Sequence, residues 1–125
     1  MRNDQGWNFQ DKQTKEAIRR FSKIGAEHGP FDLALLECGQ CNKSWKYIHM
    51  MPEQTVQAAI DLKTKAMMPV HWDKFALGLH AWDEPIERVT NEAHRLQVPN
   101  IHPMIGETVD LDKFGAVTEW WKGIN

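Results

Sequence analysis

Long apolar runs are missing from this chain: nothing in its 125 residues approaches the roughly 20 consecutive apolar positions that a membrane-spanning helix needs. The opening stretch MRNDQGWNFQDKQTK has no apolar core of the kind that directs secretion, so a cytoplasmic protein without a membrane span is expected. An excess of charge of one sign is missing too. With a net charge of -2, a pI near 6.3 and no basic stripe beyond Arg19-Arg20, nothing invites nucleic acid as a partner. Cysteine is scarce: Cys38 and Cys41 have no second pair to complete a four-thiolate zinc site. Tryptophan, in contrast, is abundant for so short a chain, with six copies, and points to a core or interface built on aromatic area. With 42% apolar and 26% charged residues, the chain reads as one ordinary globular domain, long enough to bury a real core.

Residues 1–11 are polar and aperiodic and read as a loose lead-in to a single α/β domain over residues 12–125. From about Lys12, Ala17, Phe21 and Ile24 fall on one helical face, and His28-Gly29-Pro30 supplies a stop. Phe31–Glu37 is a short apolar run, as in a strand covered on both faces. Cys38–His49 reads as a loop. Pro52 suits the first turn of a helix reaching about Lys65, with Val56, Ala59 and Ile60 inward. Ala66–Val70 reads as a second strand. Asp83-Glu84-Pro85 looks like the cap and first turn of a helix to about Gln97, carried by Ile86, Val89, Ala93 and Leu96. Pro103–Asp110 reads as a third strand and Gly115–Lys122 as a short terminal helix. Alternation of this kind indicates an α/β layer architecture.

His71 ends the second apolar run, where a buried strand meets solvent and a side chain reaches a cleft from a fixed backbone. Neutral imidazole there is a good zinc ligand, although an isolated histidine after a strand is commonly structural. His49 is a loop histidine and a second candidate; His80 could approach the same cleft. Glu37 and Glu53 could orient an imidazole, and Glu53 equally suits a helix first turn. Cys38-Gly39-Gln40-Cys41 invites a redox reading, but the pair follows a strand directly instead of opening a helix that would lower a thiol pKa. Asp83, Glu84 and Glu87 are explained by the helix dipole. Trp120-Trp121 suits either a docking surface or the cap of the last core layer. His28, His94 and His102 have no functional reading.

Met67–Pro85 (MMPVHWDKFALGLHAWDEP) resembles the last metal-ligand segment of the phospholipase-D-like branch of the metallo-β-lactamase superfamily, typified by enzymes that hydrolyse N-acylphosphatidylethanolamine. Gly29–Leu36, Glu37-Cys38-Gly39-Gln40, Ile48-His49-Met50 and Pro52-Glu53 are similar to that family's strand, site loop and helix start. Ile105-Gly106-Glu107 is similar to its closing strand, so the resemblance runs from about Phe21 to Asp110. It implies the C-terminal half of an αββα sandwich, with one or two zinc ions in the cleft between halves. It further implies His71 as a zinc ligand and His49 as an acid or hydrogen-bond donor beside the substrate phosphate. Asn3-Asp4-Gln5-Gly6-Trp7 echoes the family turn that carries a bridging aspartate, which makes Asp4 the candidate second ligand. The implied activity is zinc-dependent hydrolysis of phospholipid-like or other phosphodiesters, in which a metal-bound water attacks and the metals clamp the reacting oxygens. The family's early His-x-His-x-Asp-His motif does not occur here, and catalytic zinc needs about three protein ligands. This chain alone is therefore expected to be incomplete, either joining a second copy or a separate N-terminal half. The alternative is a non-catalytic domain of the same fold that binds partners or oligomerises.

Overall fold

Two apolar strands separated by a helix-length spacer pair in parallel, because a crossover of that length returns the chain in its original direction. In the computed structural model, which describes residues 12–38, 49–72, 81–113 and 118–124, β1 (Ala34–Glu37) pairs with β2 (Met67–Val70). The register sets Ala34 opposite Met67 and Glu37 opposite Val70. Helix α1 (Lys12–His28) precedes this unit, α2 (Pro52–Asp61) makes the crossover, α3 (Glu84–Arg95) follows, and a 3-10 helix spans Trp120–Gly123. This is the expected α/β class. No helix among the described residues is long and apolar enough to cross a membrane.

Alternation along β1 explains the layering. Leu36 is buried against the helices while Leu35, on the opposite face, is 59% exposed. Helix α2 is the centre of the core, burying Pro52, Thr55, Val56, Ala58 and Ala59. Its contact with α1 is set by Gly25, where an added Cβ would stand 2.2 Å from the Asp61 carbonyl oxygen. Between α2 and α3, Arg88 forks onto both carboxylate oxygens of Glu53, at 3.0 and 2.6 Å. Both side chains are largely shielded, and Glu84 lies 3.4 Å from the same guanidinium. Glu53 thus serves the helix pair, not an imidazole. On the other side of the core Trp72 lies among Trp82, Trp120 and Trp121. Trp121 is fully buried, so of the two readings for the tryptophan pair the core cap holds for it.

Several boundaries differ from the expectation, each for an identifiable reason. Helix α2 stops at Asp61, short of Lys65, because Lys63 turns left-handed (φ 57°). The Thr64 N–H then reaches the Ala59 carbonyl at 3.3 Å and the Lys63 N–H reaches Ile60 at 3.0 Å, the paired bonds of a Schellman stop. Helix α3 ends the same way at Gln97 (φ 58°), with Val98 N–H on the Ala93 carbonyl at 2.8 Å. Ile60, expected inward, lies exposed in the last turn of α2, and Ala17 and Ile24 of α1 are exposed as well.

The third strand expected at Pro103–Asp110 is absent from that segment, which is largely exposed, Ile105 to 85%. Pairing occurs upstream, as a single parallel bridge of Asn100 with Met67. Met67 donates to the Pro99 carbonyl and accepts from the Ile101 N–H, both at 2.9 Å. In a parallel ladder the next donors, two residues on, would be Pro69 and Pro103. Neither has an N–H, so the ladder ends after one rung. The Pro69 carbonyl instead accepts the Trp72 indole N–H at 3.2 Å.

Candidate active site

The C-terminal ends of parallel strands are where open α/β sheets present their chemistry, and β1 and β2 end side by side on Glu37 and Val70. His71 follows at once. Its φ of 68° is a left-handed conformation that histidine adopts more readily than most residues, yet still uncommon outside functional positions. This turn leaves the imidazole exposed at the sheet edge. His49 arrives from the segment before α2, and its ring stacks on that of His71 with centroids 5.5 Å apart and planes 28° from parallel. The two histidines singled out from sequence thus share one site.

Glu37 secures the arrangement from below. Its Oε1 accepts the Met50 backbone N–H, holding the residue next to His49 against the strand end. Its Oε2 lies 3.6 Å from His49 Nδ1 and is buried without a hydrogen-bond partner among the described residues. A carboxylate oxygen so placed favours a proton on the Nδ1 side of His49. Of the two glutamates suggested by sequence as orienting groups, Glu37 is the one beside an imidazole.

Thr55, which sequence reading passed over, ties the parts together. Its buried hydroxyl donates to the Glu37 carbonyl at 2.8 Å, so the first turn of α2 fixes the end of β1. The Met51 N–H donates to the Gln54 side chain at 2.8 Å and closes the same turn. No local signal marks this role, since the partner stands 18 residues away.

Asp4, Cys41 and His80 lie outside the described residues, as does the polar lead-in. Cys38 is fully buried. Among the described residues no three metal-binding side chains converge, so Glu37, His49 and His71 do not by themselves complete a zinc site.

The Glu37 contact has a measurable consequence. Glu37→Ala strands the Met50 N–H and is expected to cost about 1–3 kcal/mol, the usual loss for an unsatisfied buried donor. Glu37→Gln keeps an oxygen for that N–H and should retain most of the stability; urea unfolding midpoints of the two variants check this.

Comparison with known proteins is consistent with this geometry. Residues 15–72 match a family model described as a β-lactamase superfamily domain, a stretch that contains Glu37, His49 and His71. An uncharacterized protein of Mycobacterium tuberculosis is 40% identical over 107 residues, covering 83% of this chain and 29% of that protein. Outer membrane protein RomA of Klebsiella pneumoniae is 57% identical over 51 residues, 41% of this chain and 39% of RomA. N-acyl-phosphatidylethanolamine-hydrolyzing phospholipase D 1 of Caenorhabditis elegans is 32% identical over 60 residues, 46% of this chain and 17% of the enzyme. The chain therefore spans well under half the length of each of these relatives. The segment that brings its two histidines together is thus similar to domains of the β-lactamase superfamily, with weaker similarity to the phospholipase D of Caenorhabditis elegans.

Proposed function

We propose that this chain supplies the C-terminal part of a metal-dependent hydrolase acting on phosphodiesters of phospholipid type. The observation that supports it is the stacked His49–His71 pair, backed by Glu37, at the ends of two parallel strands. His71 contributes one zinc ligand. Zinc, when bound, would supply an activated water and electrostatic clamping of the reacting oxygens. His49, held by Glu37, acts as an acid or hydrogen-bond donor to the substrate in its imidazolium form, in which both ring nitrogens carry a proton. The remaining ligands come from Asp4 and from a second copy or a separate N-terminal half. The exposed Leu35 face of β1 is an apolar surface of the kind such a half would cover. In this reading residues 12–125 act as one unit, with residues 1–11 joining the site through Asp4.

A second reading is favoured by the lack of any three converging metal ligands among the described residues: a non-catalytic domain of this fold that binds a partner or oligomerises. Zinc content per chain, measured on protein leaving a sizing column, separates the two. The hydrolase reading expects zinc held by an assembled form, with affinity falling about tenfold or more in His71→Ala, since one ligand of three or four is lost. A metal-free monomer after incubation with zinc, or zinc indifferent to His71, would sink it and leave the binding module.

A further inference from the structure

The left-handed turn at His71 (φ 68°) persists only where neighbouring groups over-determine it, because a side chain with a Cβ is strained there. Both neighbours of His71 are anchored. On one side Val70 ends β2, and its carbonyl accepts the Cys38 N–H at 3.0 Å. On the other, Trp72 is only 5% exposed, and its indole N–H donates to the carbonyl of Pro69, three residues back, at 3.2 Å. That bond spans the reversal and closes it from inside. Between a fixed strand end and a fixed indole, the backbone of His71 has little freedom left.

Trp72 is in turn boxed by other rings. Trp82 lies nearly parallel to it with centroids 6.5 Å apart, Trp120 is tilted at 5.5 Å, and Trp121 stands edge-on at 5.7 Å. The last two come from the segment 118–124, whose other residues are exposed. Two indole N–H groups hold that segment: Trp120 donates to the His102 carbonyl at 2.9 Å and Trp121 to Glu87 Oε1 at 2.7 Å. A continuous set of contacts thus runs from the C-terminal segment through Trp72 to the turn that presents His71 to His49.

We propose that Trp72 is the positioning residue of His71, and that Trp120 fixes Trp72, so that the C-terminal segment sets the direction of the site imidazole. The placement itself needs no metal; its value to the site rests on the reading of His71 as a zinc ligand.

NMR of the full chain without added zinc tests the placement, through the His71 Cα shift, which reports a left-handed φ, and the ring signals of His71 and His49, which report their stacking. Trp72→Phe keeps a ring in the box and loses the bond to Pro69. Trp120→Leu removes the ring against Trp72 at a half-buried position, and Trp120→Phe puts a ring back. The first two are expected to move the His71 Cα shift out of the left-handed range and to abolish the stacking signature, with Trp120→Phe restoring most of both. Gly25→Ala, destabilised far from the turn, should leave these signals unchanged. His71 signals indifferent to Trp72→Phe and Trp120→Leu, or moved equally by Gly25→Ala, would overturn the proposal and reduce the tryptophans to core packing. With zinc, affinity should fall about tenfold or more in Trp72→Phe, the usual scale for a group that orients a ligand. Zinc held as tightly by Trp72→Phe as by the unmodified chain would overturn the role in the site. Zinc bound by no form, with the NMR differences intact, would support the placement and count against the hydrolase reading alone.

Discussion

Trp121→Ala is expected to destabilise the protein by about 3–5 kcal/mol, the range for deleting a large aromatic side chain from a core. The indole is fully buried and meets Trp72 and His102 edge to face at 5.7 and 4.6 Å. Three elements depend on it, because its N–H also donates to Glu87 Oε1 at 2.7 Å and so ties the C-terminal segment to the first turn of α3. Removing it opens a cavity and strands a carboxylate oxygen at once. Trp121→Phe divides the two effects: it keeps most of the apolar volume but loses the bond to Glu87, a charge-assisted one normally worth about 1.5–3 kcal/mol. Urea unfolding followed by circular dichroism measures both. A loss below about 1 kcal/mol for alanine would mean that the C-terminal segment does not hold the core together.

Gly25→Ala is the second large effect, expected to cost about 3 kcal/mol despite the better helix propensity of alanine. The new Cβ would stand 2.2 Å from the Asp61 carbonyl oxygen and 2.9 Å from the Leu62 carbonyl carbon. Both are backbone atoms at the end of α2, so no side-chain rotation relieves the clash and α1 must move away. Gly123→Ala is the matched control. Nothing lies within 4 Å of its added Cβ, and a change within about 0.5 kcal/mol is expected. Equal midpoints for the two variants would show that α1 does not rest on α2 as described. A selective loss for Gly25→Ala would locate the contact at that residue.

Parts of this fold were legible from residue order because the determining forces are local. Ile86, Val89 and Ala93 recur with helical spacing and are all buried in α3. Pro52 marks the start of α2 as its fixed φ requires. Helix ends were harder to place, since the left-handed positions that stop α2 and α3 are held by Lys63 and Gln97 and not by glycine. The missing third strand had a readable signal in Pro69 and Pro103, but only a known register reveals that both prolines fall on the same next rung of one ladder. His71 and His49 were suggested by the family resemblance, and the fold stacks their rings 5.5 Å apart. What no local reading supplies is Glu37 beside His49, Thr55 on the Glu37 carbonyl, or Trp121 on Glu87. Those relations arise when segments distant in sequence pack together.

The proline pair that ends the ladder has a consequence for how this chain meets others. A strand edge with free N–H groups is a template on which foreign strands grow, which is how sheets merge between molecules and how fibrils begin. Past its first rung, the far side of β2 offers a proline, Pro69, where such a strand would look for a donor, and the Pro69 oxygen is already taken by Trp72. Extension of the sheet is therefore steered to the β1 side, next to Glu37 and the two histidines. A partner that completes the sheet by adding a strand would arrive beside the site, and one that misregisters on the opposite side would find little to hold.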